Sequence, residues 1–225
     1  ETNGVLADFE ESSGQLNLWA PTQAPFFVRK EVAHVLDLSL EAVQVRSVVI
    51  GGGFGGKSQS PEPIAIAAML SMKTGKPVKI LLNRQEEFFS GKSDHAKKMR
   101  IKSAVAADGT ILGRYTDFWV DNGAYTHMGP AYISAVRQRN CNLYRVGAAG
   151  FDGKLVHTNK VSGGSYRGMG SPQIIWAIET QIDEIAEKLG KDKLEYRIEI
   201  ANRPGDRTPM GWEIGTCALV EWLIE

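Results

Sequence analysis

The sequence predicts an α+β (mixed α/β) fold in which mixed sheets carry packed helices. Some runs of apolar residues alternate or are rich in β-branched side chains, which is typical of strands, whereas others repeat at helical spacing. Glycines and prolines separate these runs, and no linker, low-complexity tract or internal repeat interrupts them. The 225 residues are enough for one large domain or two small ones, and we take 1–225 as one segment.

The first half of the chain is expected to contain three strands and two helices. A strand at 14–20 is predicted by its alternation of polar and apolar residues, and a helix at 26–36 by apolar residues at helical spacing. The remaining elements are a β-branched strand at 43–50, a small apolar helix at 64–72 that ends near Gly75, and a short strand at 78–82.

The second half is expected to begin with a hairpin and to end with two helices. Asp108-Gly109 separates two strand-like runs, which is a hairpin signal. In the longer helix, Ser171 is expected as the N-cap, Pro172 as the first helical residue and Gly190 as the terminator. The expected elements are strands at 101–107 and 111–120, an irregular stretch at 125–153, and helices at 174–189 and 194–201.

Charge and composition exclude several classes of protein. Lys+Arg and Asp+Glu both number 26, so there is no basic excess to neutralise the phosphates of DNA or RNA. No apolar run reaches the roughly 18 residues of a membrane helix, and the N-terminal residues lack the pattern of a signal peptide. We therefore expect a cytoplasmic protein with no nucleic-acid partner and no membrane span.

The cysteines and histidines do not form a recognisable metal-binding pattern. Cys141 and Cys217 are far apart in the sequence, which argues against a disulfide framework or a zinc site and favours inert, reduced thiols. The histidines are His34, His95, His127 and His157. No two of them have the i, i+3 or i, i+4 spacing of ligands on one helix, so a mononuclear histidine site is not expected.

The most informative stretch is a glycine loop, Gly51-Gly52-Gly53-Phe54-Gly55-Gly56-Lys57-Ser58, directly after a predicted strand. Glycines accept positive φ and let a ligand approach the backbone N–H groups closely. Such a loop suits an anionic or strongly polar group. A polar cofactor held by backbone N–H groups is the favoured interpretation, and a tight structural turn is the simplest alternative.

The same loop also satisfies two nucleotide-binding patterns. Its glycines fit the dinucleotide fingerprint, and the glycines with Lys57 and Ser58 fit the P-loop. Both motifs need a helix that opens directly from the loop. Pro61 and Pro63 instead place the expected start of the next helix near Pro63. A P-loop nucleotide-binding domain is therefore kept as an alternative function.

A second glycine cluster spans residues 162–173 and precedes the longer helix. Helix capping explains Ser171 and Pro172. It does not explain the four glycines that surround Tyr166-Arg167. A flexible loop before the helix is one interpretation, but two glycine loops in one chain favour a shared ligand.

Together the two clusters resemble the molybdenum hydroxylases, the family of xanthine dehydrogenase, aldehyde oxidase and their bacterial relatives. Gly51 to Lys57 resembles the Gly-Gly-Gly-Phe-Gly-Gly-Lys signature of that family, and residues 166–173 resemble its aromatic-Arg-Gly-x-Gly-x-Pro-Gln segment. Shorter similarities occur in order at Glu1-Thr2, Thr22-Gln23, Arg84–Phe88, His95, Asp108-Gly109 and Asp121–Tyr125. The resemblance covers essentially the whole chain and is to the molybdopterin-binding part of the large subunit.

The resemblance implies a set of site residues. Gln23 matches the glutamine that hydrogen-bonds an oxo ligand of molybdenum, although from the residues alone it could equally be a capping or turn glutamine. Phe54 matches the loop whose backbone approaches the metal and the pterin, so Gln23 and Phe54 are the implied catalytic positions. No protein side chain is expected to ligate the metal. The implied cofactor-binding residues are Gln23, Gly53, Phe54, Gly55, Arg167 and Gly168.

The resemblance also implies an activity and partners. The activity is hydroxylation of an aldehyde or heteroaromatic carbon with water as the oxygen source, with electrons passing to iron–sulfur clusters and FAD. Iron–sulfur ligation needs clustered cysteines, so these centres are expected on partner domains or subunits. The general base, a glutamate in a later Gly-Glu segment, is expected beyond Glu225. We expect a fragment of a longer large subunit that is inactive alone; a non-catalytic scaffold is a further alternative.

Three departures from the family pattern bear on the substrate. Ser58 stands where purine-oxidising members have a glutamate. Ala135 stands where they have a substrate-binding arginine, although a shifted register could supply Arg137 or Arg139. Met169 stands where purine and aldehyde enzymes often keep an aromatic ring. An aldehyde, a heteroaromatic ring or an aromatic thioester in a bacterial enzyme therefore fits better than xanthine.

Overall fold

The computed structural model describes residues 2–58, 61–216 and 219–224. Contacts between Cα atoms divide the chain into two compact units. Unit 1 comprises residues 1–94 and 159–167, and unit 2 comprises residues 95–158 and 168–225. Each unit has its own sheet and its own buried core. None of the described helices is long and apolar enough to cross a lipid bilayer.

Unit 1 is built on a four-stranded sheet with the order β3-β2-β1-β4. Its central strands β1 and β2 are antiparallel, β4 is antiparallel to β1, and β3 is parallel to β2. The strands are β1 (Gly4–Glu10), β2 (Gln15–Ala20), β3 (Val43–Ser47) and β4 (Val78–Leu81). The helices are α1 (Pro25–Val35), α2 (Pro61–Thr74) and α3 (Arg84–Ser90), with a 3₁₀ turn at Leu40–Ala42.

The core of unit 1 follows from the pattern of β2 and α1. Leu16 and Leu18 alternate inward along β2 and are fully buried, and Val28 and Val32 of α1 pack in the same cluster. The strand expected at 14–20 and the helix expected at 26–36 are therefore confirmed. The expected strand at 43–50 is shorter, because β3 ends at Ser47 before the glycine loop.

Three further observations complete unit 1. The helix expected near Pro63 begins two residues earlier, at Pro61, and ends at Thr74 before Gly75, which has a positive φ. The strand expected at 78–82 is confirmed as β4. Strand β1 and helix α3 were not predicted from the sequence. The signal for α3 was a capping box, in which Asn83 accepts a hydrogen bond from the Glu86 N–H.

Unit 2 is built on a three-stranded sheet with the order β5-β6-β7. Strands β5 and β6 form an antiparallel hairpin, and β7 lies parallel to β6. The strands are β5 (Ala96–Val105), β6 (Ile111–Gly123) and β7 (Ala149–His157). The helices are α4 (Gly129–Arg139), α5 (Ser171–Leu189), α6 (Lys193–Ile200) and α7 (Leu219–Ile224). The largest fully buried side chains of this unit include Phe118, Tyr132, Ile182 and Tyr196.

The hairpin and the helices expected at 174–189 and 194–201 are confirmed, whereas α7 was not predicted. Gly109 has a φ of 100°, and Asp108 accepts a hydrogen bond from the Thr110 N–H, so the turn lies where Asp108-Gly109 placed it. The isoleucines of α5 face the core at helical spacing. Gly190 ends α5 in the left-handed conformation.

Two expectations for unit 2 are wrong. The stretch at 125–153 is not irregular, because it contains α4 and most of β7. Pro130 lies in the first turn of α4, and Tyr132 and Val136 give this helix a buried face, but Gly129 at its start and the two arginines at its end obscured that pattern. Ser171 is not the N-cap of α5. Gly170, at a φ of 83°, occupies the N-cap position without a side-chain hydrogen bond, so Ser171, and not Pro172 as expected, is the first helical residue.

The expectation of inert, reduced thiols can be compared with the structure at Cys141. Cys141 is 2% exposed in unit 2, and burial raises the pKa of its thiol. A buried thiol with a raised pKa stays protonated at neutral pH and reacts slowly, which fits an inert residue. Cys217 lies outside the described residues, as does Glu1, on which a small part of the family resemblance depends.

Candidate functional site

The glycine loop follows β3 in unit 1 and turns back on itself before α2. Its backbone enters the left-handed region at Gly51, Phe54 and Gly55, with φ of 66°, 49° and 94°. Glycine is needed most at Gly55, because a φ of 94° is one that residues with a Cβ rarely adopt. The Phe54 side chain is 60% exposed, and its ring lies against Gly52.

Hydrogen bonds within the loop close it without help from a helix. The Gly56 N–H donates to the Gly53 carbonyl at 2.9 Å, and the Ser58 N–H donates to the Gly55 carbonyl at 3.1 Å. The Ser58 hydroxyl also donates to the Gly55 carbonyl. Lys57 donates from its ammonium group to the carbonyl of Ile50, at the beginning of the loop.

The loop presents unsatisfied backbone donors. Within residues 2–58 and the other described ranges, the N–H groups of Gly52, Gly53 and Phe54 have no protein acceptor. Gly53 is half-buried, whereas Phe54 is exposed, so these donors lie at the surface of unit 1 as it is described. Successive N–H groups in a turn of this kind form a concave site that favours an anion or another electron-rich group.

Gln23 lies directly against this loop. Its side-chain Oε1 accepts a hydrogen bond from the Gly55 N–H at 2.9 Å, and its own N–H donates to the Lys57 carbonyl at 2.9 Å. A Cβ on Gly53 would approach the Gln23 side chain to 2.5 Å, so the glutamine rests on the surface of that glycine. Because Oε1 is the acceptor, the Nε2 group remains the donor of the amide.

Gln23 does not cap the helix that follows it. The N-cap of α1 is Ala24, which makes no side-chain hydrogen bond. The Gln23 side chain instead reaches a loop that is 32 residues distant in sequence. Thr22, to which the sequence analysis assigned no role, supports the same turn by donating its hydroxyl hydrogen to the Lys57 carbonyl at 3.2 Å.

The second glycine cluster contributes one segment to unit 1. Residues 159–167 belong to this unit, where Gly164 donates its N–H to the Ser93 carbonyl at 2.8 Å. Ser165 contacts the glycine loop, since a Cβ on Gly55 would come within 2.7 Å of the Ser165 carbonyl oxygen. Arg167 is exposed, two residues beyond this contact. No local sequence signal identifies Ser165, because the contact depends on the tertiary fold.

The rest of the cluster shapes the start of α5 in unit 2. Gly168 has a φ of 94°, and Met169 and Gly170 are also left-handed. The Gly168 carbonyl accepts a hydrogen bond from the Ser171 N–H at 3.0 Å, and a Cβ on Gly168 would approach Pro172 to 2.7 Å. Helix entry therefore already requires glycine at Gly168.

The structure brings four of the six predicted site residues together. Gln23, Gly53, Phe54 and Gly55 form one contiguous group in unit 1. Arg167 follows the Ser165 contact in the same unit, whereas Gly168 belongs to unit 2.

The substrate-related positions are also located. Ser58 turns its hydroxyl into the glycine loop. Ala135 is 6% exposed on α4 and packs in unit 2. Arg139 donates to the Ala135 carbonyl of its own helix at 2.9 Å, whereas Arg137 is exposed. Met169 is half-buried against the core of unit 2.

Among the described residues, no three His, Cys, Asp or Glu side chains lie close enough together to hold a metal ion. His95 is 2% exposed, and its Nε2 lies 3.1 Å from Asn122 Oδ1. Its ring also packs on Tyr132 with 4.2 Å between ring centroids. This environment is that of a core histidine.

Comparisons with known proteins place these features in a family. A family model described as a molybdopterin cofactor-binding domain matches residues 1–200. A xanthine dehydrogenase molybdenum-binding subunit from Escherichia coli O157:H7 is 35% identical over 214 residues, which are 95% of this chain and 28% of that protein. An aldehyde oxidoreductase from Megalodesulfovibrio gigas is 39% identical over 165 residues, which are 73% of this chain and 18% of that protein.

Solved structures agree over the whole chain. The aldehyde oxidoreductase of Desulfovibrio gigas matches with a TM-score of 0.91 and 30% identity, covering 100% of this chain and 24% of that one. The quinoline 2-oxidoreductase of Pseudomonas putida 86 matches with the same TM-score and identity, covering 100% of this chain and 29% of that one. The chain thus spans less than a third of the length of these relatives.

Proposed function

Because the chain belongs to the family of molybdopterin cofactor-binding domains, we propose that it holds the molybdenum cofactor in an oxidoreductase of the xanthine dehydrogenase and aldehyde oxidase type. The reaction is hydroxylation of an aldehyde or heteroaromatic carbon with water as the oxygen source. The observation that carries the proposal is the Gln23 side chain, oriented by the Gly55 N–H beside three unsatisfied N–H groups.

The residues of unit 1 suit such a cofactor chemically. An electron-rich oxo centre accepts hydrogen bonds. The N–H groups of Gly52, Gly53 and Phe54 have no acceptor among the described residues and can donate to such a centre. These donors and the Gln23 amide do not titrate, so pH does not change their capacity to donate. We propose Gln23, Gly53, Phe54, Gly55 and Arg167 as the residues of unit 1 that hold the cofactor.

Gly168, in unit 2, is proposed to contact the cofactor through its backbone alone. Its glycine is already required by the entry to α5, so its proposed contact with the cofactor would use only its backbone. When bound, the cofactor supplies the two-electron oxidation of the substrate carbon. The chain's own contribution is to orient donors and to exclude alternative positions of Gln23.

Other centres are proposed for the remainder of the protein. The chain has two cysteines, too few to ligate an iron–sulfur cluster, so the clusters are proposed for partner domains or subunits. The FAD that the family resemblance implies is proposed for the same partners. The remaining large-subunit segment supplies the general base, and the assembly is a cytoplasmic hetero-oligomer that acts on a small molecule. Ser58, turned into its own loop, offers no carboxylate for a purine.

The nucleotide-binding alternative fits the loop less well. A P-loop lysine reaches toward phosphates from the first turn of a helix. Lys57 instead donates to the Ile50 carbonyl, and the helix begins at Pro61, beyond the turn that contains Lys57. Binding of magnesium-ATP that is lost in Lys57→Ala would support this alternative.

The other alternative is a non-catalytic scaffold. Stoichiometric molybdenum in the purified protein would be inconsistent with it.

Substitution of Gln23 in the full-length protein tests the proposed site. Gln23→Ala removes the Nε2 donor, and Gln23→Glu keeps an acceptor for the Gly55 N–H while removing the same donor. Loss of one hydrogen bond to a reacting centre typically costs roughly 100-fold or more in turnover. We expect both variants to lose about that factor in turnover per bound molybdenum, measured with an aldehyde or heteroaromatic substrate.

The matched control is Gln44→Ala, which removes an exposed glutamine from β3 of the same unit. It should keep the turnover and the molybdenum content of the parent protein. Unchanged turnover in Gln23→Ala, with molybdenum still bound, would contradict the role of Gln23.

A further inference from the structure

The side chain of Lys57 joins the two ends of the glycine loop. Its ammonium group donates to the carbonyl of Ile50, the residue immediately before Gly51, and the contact is partly buried. The loop between these two residues has five glycines in six positions, so its backbone has unusual conformational freedom to lose. A hydrogen bond across its base limits that freedom where the loop begins and ends.

The backbone of Lys57 performs a second task. Its carbonyl accepts hydrogen bonds from the Gln23 N–H at 2.9 Å and from the Thr22 hydroxyl at 3.2 Å. The Gln23 side chain then accepts from Gly55 N–H within the same loop. A single residue is thus bonded both to the beginning of the loop and to the turn that bears Gln23.

We propose that Lys57 is a positioning residue that ties the glycine loop closed and holds it in register with Gln23. Its positive charge strengthens the hydrogen bond to the Ile50 carbonyl. Through this bond the N–H groups of Gly52, Gly53 and Phe54 and the Nε2 of Gln23 are kept in one arrangement. The consequence for turnover rests on the proposed function, whereas the tie itself does not.

Hydrogen exchange in cofactor-free, full-length protein tests the tie directly. The reporting amides are those of Gln23, Gly55 and Gly56, each of which donates a hydrogen bond in this network. In Lys57→Met, which keeps the length of the side chain and removes the donor, their exchange should accelerate about ten-fold or more. The amides of β2 should not change, because that strand lies in the core.

Lys57→Arg and Lys30→Met are the comparison variants. Arginine can still donate to the Ile50 carbonyl, so the three amides should stay protected, and Lys30 is an exposed residue of α1 whose loss should have no effect. Unchanged exchange in Lys57→Met would overturn the proposal. If Lys57→Met does not fold, an unprotected loop in folded Lys57→Arg would overturn it as well.

The same variants separate this inference from the proposed function. In the molybdenum-loaded protein, Lys57→Met should lower kcat per molybdenum by about 100-fold with KM changed little, since small misplacements of oriented groups have effects of that order. Unchanged kcat in a variant whose loop exchanges rapidly would refute the positioning role. If the parent protein holds no molybdenum, the proposed function fails, while the exchange experiment still decides whether the tie exists.

Discussion

Gly55→Ala abolishes molybdenum loading and turnover of the full-length protein, whereas Gly56→Ala, one residue further along, leaves both unchanged: this is the largest effect that we expect. At Gly55 the φ of 94° and the Ser165 carbonyl oxygen, which would lie 2.7 Å from a new Cβ, both oppose a side chain. A strained backbone costs about 1–3 kcal/mol, and overpacking adds about 1–3 kcal/mol. The loop relieves the strain and the steric overlap by moving away from its native position, so it no longer holds the cofactor.

Gly56→Ala is a matched control because it adds the same methyl group to the same loop. The nearest atom to a Cβ at that position is the Gly53 carbonyl oxygen at 3.5 Å, an ordinary contact. The experiment compares molybdenum per chain and turnover in the two variants and the parent. Equal molybdenum in Gly55→Ala and Gly56→Ala would show that the loop does not hold the cofactor.

Ile182→Ala is expected to have the largest effect on folding without altering the site. Ile182 is fully buried on α5, in the core of unit 2. Removal of a buried isoleucine side chain to alanine costs about 2–5 kcal/mol, because transfer free energy is lost and a cavity remains. Denaturant unfolding, monitored by fluorescence and circular dichroism, measures the change in the free energy of unfolding.

The control for this stability effect is Ile66→Ala, which removes the same atoms from a residue that is 48% exposed on α2. Substitutions at such positions change the free energy of unfolding by about 0.5 kcal/mol or less. A loss in Ile182→Ala no larger than in Ile66→Ala would contradict the assignment of α5 to the core of unit 2.

Periodicity predicted the elements whose buried residues recur at regular spacing along the sequence. Leu16 and Leu18 on β2 follow the two-residue repeat of a strand, and the isoleucines of α5 follow the spacing of one helix face. Helix α4 escaped prediction, because its short buried face around Tyr132 and Val136 is preceded by Gly129-Pro130 and followed by the polar run of residues 137–140. In such a segment tertiary packing, not local pattern, decides the structure.

The candidate site divides in the same way. The glycine loop and Gln23 could be identified from the sequence because their residue types and order match a known motif. The bond between Gln23 and Gly55, the Ser165 contact and the tie from Lys57 to Ile50 could not. Each joins groups whose proximity is set by how the strands and loops of unit 1 pack.

Metal and pterin analysis of the purified full-length protein, with its partner components, tests the central claim most directly. The account predicts about one molybdenum and one molybdopterin per large chain, retained in Gln23→Ala and lost in Gly55→Ala. A well-folded protein that contains neither molybdenum nor pterin, when produced in cells that make the cofactor, would contradict it.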